Sequence, residues 1–295
     1  MYASVPMLAY GVKIYDINII RIIVLTVITL YAGFFAALIW NDITDEDIDS
    51  ISHPDRPIPS GRISKKNFFL IALFFSAVVF LFATFISPIC LIIVCFAALF
   101  VTFHDKYLKR VKIPAYSEIF TPVQWIVVAV FGFFAIWTNI PESSAFSINL
   151  SYLGIISANQ DTIIQMIILV LFTYFAVNAH DLAEGIVDAE GDKKHGVRTY
   201  ATSFGEKNAA RISFIWFLIS GILGVILFYI TFLSFLFLIL FIILWLYIMF
   251  YSYRLLKVDD KNFKIIGVIV GRKGFDYFLF SYNLIFIDIL IQIIF

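Results

Sequence analysis

Apolar positions in this chain come in long unbroken runs, not in alternation. The runs cover roughly residues 19–40, 68–86, 88–104, 119–138, 162–180, 210–230, 233–253 and 275–295. Each is close to the 20 or so residues that a helix needs to cross a hydrocarbon layer about 30 Å thick. Backbone in lipid must satisfy its own hydrogen bonds, which leaves helices or a closed barrel. A barrel strand alternates with period two, and these runs do not. The pattern predicts an all-α polytopic membrane protein with eight full transmembrane helices. A ninth apolar stretch, Met1–Val12, is too short to span and reads as an N-terminal half-helix.

Punctuation between the runs is sparse. Ser87–Pro88 reads as a tight turn between two helices. Residues 139–161, with Pro141, Asn149 and Asn159, read as a polar loop. Met1–Gly11 lacks the basic start of a cleavable leader. Composition agrees with the pattern: 62% of the residues are hydrophobic and 14% charged, too little polar surface for a soluble domain of this length. Cys90 and Cys95 lie within one apolar run and carry no disulfide or metal-site spacing.

The net charge is zero, but its distribution is uneven. All of the 21 Lys and Arg except Lys13 and Arg21 fall in four loops, 41–67, 105–118, 181–211 and 254–274. With eight spans these loops share one side of the membrane, and the positive-inside rule makes that side the cytoplasm of the cell membrane. The first and third loops are rich in acid, the second and fourth in base. "DEDIDSISHPDRPIPSG" and "DAEGDKKHGVRTYATSFG" echo each other: a carboxylate pair four residues apart, then an Arg, then Ser and Gly. One domain, 1–295, built from two related four-helix halves would give this order.

Acidic clusters carry the candidate chemistry. Asn41, Asp45 and Asp49 are spaced i, i+4, i+8, and Glu184, Asp188 and Asp192 repeat that spacing, with Asp181 just ahead. On helices continuing past the membrane each set shares one face. A single acidic run at a helix end is commonly a solvated cap. Two matched clusters on one side of the membrane repel unless a cation joins them. Hard oxygen ligands of this kind suit Mg²⁺, which keeps waters and binds substrate phosphates. Two such clusters facing each other would hold a Mg²⁺–diphosphate, and Arg56, Lys109 and Arg198, in loops on the same side, would take its remaining oxygens. The four histidines, His53, His104, His180 and His195, share no zinc-like spacing and read as loop or interface residues.

These motifs resemble those of the UbiA-type intramembrane prenyltransferases. "NDITDEDID", Asn41–Asp49, is similar to that family's N-D-x-x-D-x-x-x-D signature, and "RPIPSGRIS", Arg56–Ser64, to the segment after it. "DAEGDKKHGVRT", Asp188–Thr199, resembles the second Asp-rich motif. The resemblance implies a nine-helix bundle with a cytoplasmic cap formed by the Asp-rich loops. It implies Mg²⁺-dependent transfer of a prenyl group from its diphosphate to a lipophilic acceptor among membrane lipids; the chain length is left open, with geranylgeranyl or longer as one candidate. Carried over residue by residue, Asn41, Asp45 and Asp49 match its first metal motif, Asp188 and Asp192 its second, Arg56 the Arg after the first motif and Lys109 a Lys of the second inner loop; Arg56, Lys109, Arg198 and Asn41 are then the candidates for diphosphate, and Asp188, Asp192 and Lys109 for catalysis. There are departures. Many members have Asp where Gly185 stands, with Glu184 beside it here, and many have a Tyr before the Lys matched by Lys109, where this chain has Phe103 and His104. The acceptor is left open: the first motif resembles chlorophyll synthases and archaeal glycerol phosphate enzymes, whereas "GVRTYATSFG" resembles carotenoid-elongating members.

Two other functions fit the pattern less well. A cyclase of the same family would use its prenyl diphosphate without an external acceptor. A transporter would place ionisable residues within its spans, and here the apolar runs are nearly free of them. Asp288 reads as a hydrated residue near the outer interface. No nucleic-acid partner is expected.

Overall fold

The computed structural model describes residues 1–10, 17–44, 46, 50, 54–107, 111–139, 146–150, 154–158, 160–259 and 261–294. The helices are α1 (Ser4–Tyr10), α2 (Ile17–Thr44), α3 (Lys65–Ile86), α4 (Pro88–Lys106) and α5 (Tyr116–Trp137), then α6 (Gln160–His195), α7 (Tyr200–Phe204), α8 (Glu206–Ile230), α9 (Phe235–Lys257) and α10 (Phe263–Ile294). Six carry a stretch long and apolar enough to cross a membrane: α2, α3, α6 over Ile163–Glu190, α8, α9 and α10. Two shorter apolar stretches, Pro88–His104 and Pro122–Trp137, lie in α4 and α5. The protein is an integral membrane protein, and its surface says the same. Along α9, Phe235, Ile239, Ile243, Leu246 and Phe250 are all exposed at helical spacing, and Leu70, Phe74, Leu81 and Phe85 do the same on α3. Apolar stripes of this extent are left uncovered only where lipid covers them.

Local chemistry sets the helix ends. Ser87 separates α3 from α4 and accepts a hydrogen bond from the Cys90 amide at 3.2 Å, with Pro88 at the first helical position. Ser64 caps α3 by accepting from the Asn67 amide at 3.3 Å. Thr199 and Thr202 form a capping box at α7, and Gly205, at φ 93°, turns the chain from α7 into α8.

Helices α2–α5 pack together in one group and α6–α10 in another. Helix α5 packs on α6 to join them, and α1 lies against both α5 and α10. The larger core gathers Phe172, Phe217, Phe237, Phe241, Tyr277 and Tyr282, all nearly or fully buried. Two polar ties cross inside it: Ser213 donates to the Ala179 carbonyl at 2.6 Å, and the hydroxyls of Thr173 and Tyr282 bond each other.

Small residues on α10 decide how closely it meets α6. A Cβ added at Gly274 would sit 2.6 Å from the Phe217 ring and 2.7 Å from Cβ of His180. One added at Gly271 would sit 2.3 Å from Cγ of Glu184. At Gly274 only glycine leaves room, whereas at Gly271 the obstacle is a flexible side chain.

Three expectations change. The acid-rich stretch after residue 180 is not a loop: α6 continues to His195, about 54 Å in all at 1.5 Å per residue. Ionisable residues therefore lie on a spanning helix. The stretch 139–161 contains an antiparallel pair, β1 (Phe146–Leu150) and β2 (Gly154–Ala158), with Phe146 opposite Ala158 and Asn149 opposite Ile155. Phe146, Ile148, Ile155 and Ile156 favour extended backbone more than the Pro and Asn of the stretch break it. Asp288 is not hydrated but 2% exposed. It accepts from the Ser234 amide at 2.9 Å, from the Ser234 hydroxyl, and from Gln292 Nε2 at 2.7 Å. Ser234 in turn caps α9, accepting from the Leu236 amide at 3.1 Å.

Candidate functional site

The polar centre of the molecule is a string of acids on α6. Asp181, Glu184, Asp188 and Asp192 recur every three or four residues, so they follow one face of the helix. His180 stands at the deep end, 5% exposed. Asp181 is partly buried, and Glu184 and Asp188 are exposed. Glu190 leaves this row and pairs with Lys264 at 3.7 Å.

Glu118, near the start of α5, adds a further carboxylate that the sequence reading did not single out. It is 4% exposed, and its Oε1 accepts from the Tyr200 amide at 2.6 Å, joining α5 to the first turn of α7. The same oxygen lies 3.7 Å from where a Cβ on Gly185 would be, so the glycine that departs from the family pattern faces a carboxylate from another helix. The chain reaches Glu118 through Ala115, whose left-handed φ of 53° is uncommon for a residue with a side chain. Its amide donates to Ser203 Oγ at 3.1 Å, a second tie between α5 and α7. Beside it Tyr116 stacks on Phe120 at 4.3 Å and on His104 at 5.9 Å, an aromatic wall at the ends of α4 and α5.

The charges do not cancel locally. Asp188 repels Glu184, and Asp192 and Asp181 each repel Glu118, while Arg272 of α10 is the cation acting on Glu184. Such a row stays together only with cations or protons between its members. At Asp188 and Asp192 the donors are all oxygen, which suits Mg²⁺.

At the other motif, α2 runs past the apolar stretch and carries Asn41 and Asp42. Arg56 Nη1 donates to Asp42 Oδ1 at 3.2 Å, and Lys65 pairs with Glu46. Part of the guanidinium expected on diphosphate thus already neutralises the first acidic cluster. Asp45, Asp47, Asp49 and Lys109 lie outside the described residues. Arg198 is exposed, just ahead of the Thr199 cap. So the structure brings Asp188 and Asp192 together with Glu184, Asp181 and Glu118, and ties Arg56 to the end of α2. Spacing alone could have drawn His180, Asp181 and Glu184 together, at i, i+1 and i+4, had the helix been extended beyond the apolar run.

Comparisons with known proteins point one way. The model of the UbiA prenyltransferase family matches residues 4–265. Digeranylgeranylglyceryl phosphate synthase of Sulfolobus acidocaldarius is 29% identical over 205 residues. That alignment takes in 69% of this chain but 62% of the relative, less than two thirds of its length. A solved structure of digeranylgeranylglyceryl phosphate synthase in membranes shares the fold with a TM-score of 0.66 at 22% identity, covering 97% of this chain and 92% of the other. A UbiA homologue from Archaeoglobus fulgidus bound to GPP and Mg²⁺ gives a TM-score of 0.55 at 14% identity over 96% and 94% of the two chains.

Proposed function

Because the chain belongs to the UbiA prenyltransferase family, we propose that it transfers a prenyl group from a prenyl diphosphate to a lipophilic acceptor inside the membrane. The observation that carries this is the acidic face of α6, set where a spanning helix leaves the apolar layer and ringed by Glu118 and Arg272. Asp188 and Asp192, with Asn41, Asp45 and Asp49 of the first motif, would hold Mg²⁺. When bound, Mg²⁺ draws charge onto the leaving diphosphate, which favours cleavage of the allylic C1–O bond.

The chain's own groups do the rest. Arg198, Lys109 and Arg56 take diphosphate oxygens, Arg56 exchanging part of its contact with Asp42. The prenyl tail lies among apolar helix faces. Asp188 or Asp192 receives the proton that the acceptor loses as it attacks C1. Among acceptor classes a glycerol phosphate lipid is favoured, since the first motif resembles the archaeal glycerol phosphate enzymes and the curated relative is named for such a product. The test supplies labelled geranylgeranyl diphosphate with and without a geranylgeranylated glycerol phosphate acceptor. Product that requires acceptor, that EDTA abolishes and that Mg²⁺ restores is expected. Product formed from the diphosphate alone would make the protein a cyclase.

We further propose that the chain is one domain of eight spans and a half-helix, with its acidic ends in the cytoplasm under a common cap. Charge asymmetry supports the orientation: the basic residues crowd one set of loops. In intact cells Asn149→Cys should react with an impermeant thiol reagent and Lys261→Cys should not. The reverse labelling would invert the topology.

A further inference from the structure

At the deep end of the acidic row the chemistry changes from all oxygen to oxygen and nitrogen. His180, Asp181 and Glu184 each bring one ligand atom within 4.8 Å of the other two. A point between three such atoms lies within about 2.8 Å of each, so coordination at about 2.0–2.2 Å needs side-chain movements of under about an ångström. His180 Nδ1 is already 3.2 Å from Asp181 Oδ1, close to the spacing of neighbouring ligands on one ion.

The second observation is independent of the carboxylates. His180 is 5% exposed, and neither of its ring nitrogens makes a hydrogen bond among the described residues, the 3.2 Å approach to Asp181 being off the required line. Asp181 Oδ2 is buried and unbonded there as well. A buried imidazole with both nitrogens unsatisfied costs free energy unless something is meant to bond it. Around it stand Phe275, in edge contact at 5.2 Å, and the glycine face of α10, none of which offers a partner. The charges facing the group are Glu118, Glu184 and Arg272, one cation against three carboxylates once Asp181 is included. Exposed Glu184 forms the rim, which gives an ion a way in.

We propose that His180, Asp181 and Glu184 bind a divalent transition-metal ion such as Zn²⁺, at a site separate from the Mg²⁺–diphosphate centre. One imidazole and two carboxylates prefer such an ion over Mg²⁺, whose chemistry favours oxygen alone. From His180 to Asp188 is about 12 Å along the helix, at 1.5 Å per residue. The ion neutralises the foot of the acidic row, on the stretch of α6 that meets Gly271 and Gly274 of α10. This site does not rest on the prenyl-transfer reading, and it stands or falls by metal binding alone.

The test uses detergent-purified full-length protein, stripped with EDTA and returned to excess Mg²⁺, then titrated with Co²⁺. The expected result is a saturable visible absorption band, with elemental analysis showing about one Co²⁺ per chain. His180→Gln and Glu184→Gln should each weaken binding by at least about tenfold. Asp188→Asn and Asp192→Asn should leave it unchanged. If His180→Gln does not fold, Glu184→Gln at the exposed rim carries the comparison. No band above the detergent blank, a band indifferent to both His180→Gln and Glu184→Gln, or one lost with Asp188→Asn would overturn the site.

Discussion

Asp188→Ala should lower prenyl transfer by at least about 100-fold, the loss typical of removing one group that stabilises developing charge. Asp188 sits four residues from Glu184 and four from Asp192 on the same face of α6, so no neighbour can reach its place without breaking helical geometry. Being exposed, it is not expected to hold the fold together. Glu190, two residues on, is the control. It is exposed, turned off the row and paired with Lys264, and Glu190→Ala should stay within a few-fold of the parent, since exposed pairs contribute little. Asp47→Ala should behave like Glu190→Ala, because Asp47 falls off the i, i+4, i+8 spacing of its own motif. The measurement is radiolabelled prenyl transfer in detergent, with folding checked by gel filtration. Equal losses in Asp188→Ala and Glu190→Ala would remove the acidic face as the site.

A large effect on stability is expected at Gly274. A leucine there would drive its Cβ to 2.6 Å from the Phe217 ring and 2.7 Å from Cβ of His180. Phe217 is fully buried, and a Cβ next to its own backbone cannot swing aside. Overpacking of this kind costs about 1–3 kcal/mol or more. Gly274→Leu should aggregate on gel filtration or unfold at markedly lower temperature than the parent. Gly271→Ala offers a contrast at the same interface. Its nearest neighbour is Glu184 Cγ, part of a flexible chain ending at an exposed rim, so the protein should fold while the carboxylate shifts. If Gly274→Leu matched the parent in thermal stability, close packing of α10 on α6 would not be what holds this half together.

Much of this was legible in the residues. The spanning helices follow from apolar runs because, in lipid, a continuous apolar stretch has few other ways to satisfy its backbone. The turn at Ser87–Pro88 was readable because cap and proline act locally. The row Glu184–Asp188–Asp192 was readable because helical spacing is a property of sequence. What escaped depends on contacts between distant segments. The extension of α6 to His195 leaves the apolar run that announced it, and its far end meets Glu118 and Tyr200 only after folding. His180 gave no motif, since it was read by itself as a loop or interface residue at the end of the apolar run, apart from the acids that follow it. Asp288 looked like an interfacial acid because its partner, Ser234, lies 54 positions away in sequence. Gly271 and Gly274 carry no chemistry to read until α6 is laid against them.

Asp288 also works as a gauge of height. It is latched to the turn between α8 and α9, while Gly271, on the same helix, bears on Glu184. Seventeen residues separate them, about 25 Å of rigid rod at 1.5 Å per residue. Fixing one end of that rod sets the level at which the other meets α6. The depth of the acidic row is thereby calibrated from the opposite face of the membrane. Adding one residue between the two anchors would turn the glycines about 100° away from α6 and raise them by about 1.5 Å, so latch and notch could not both engage.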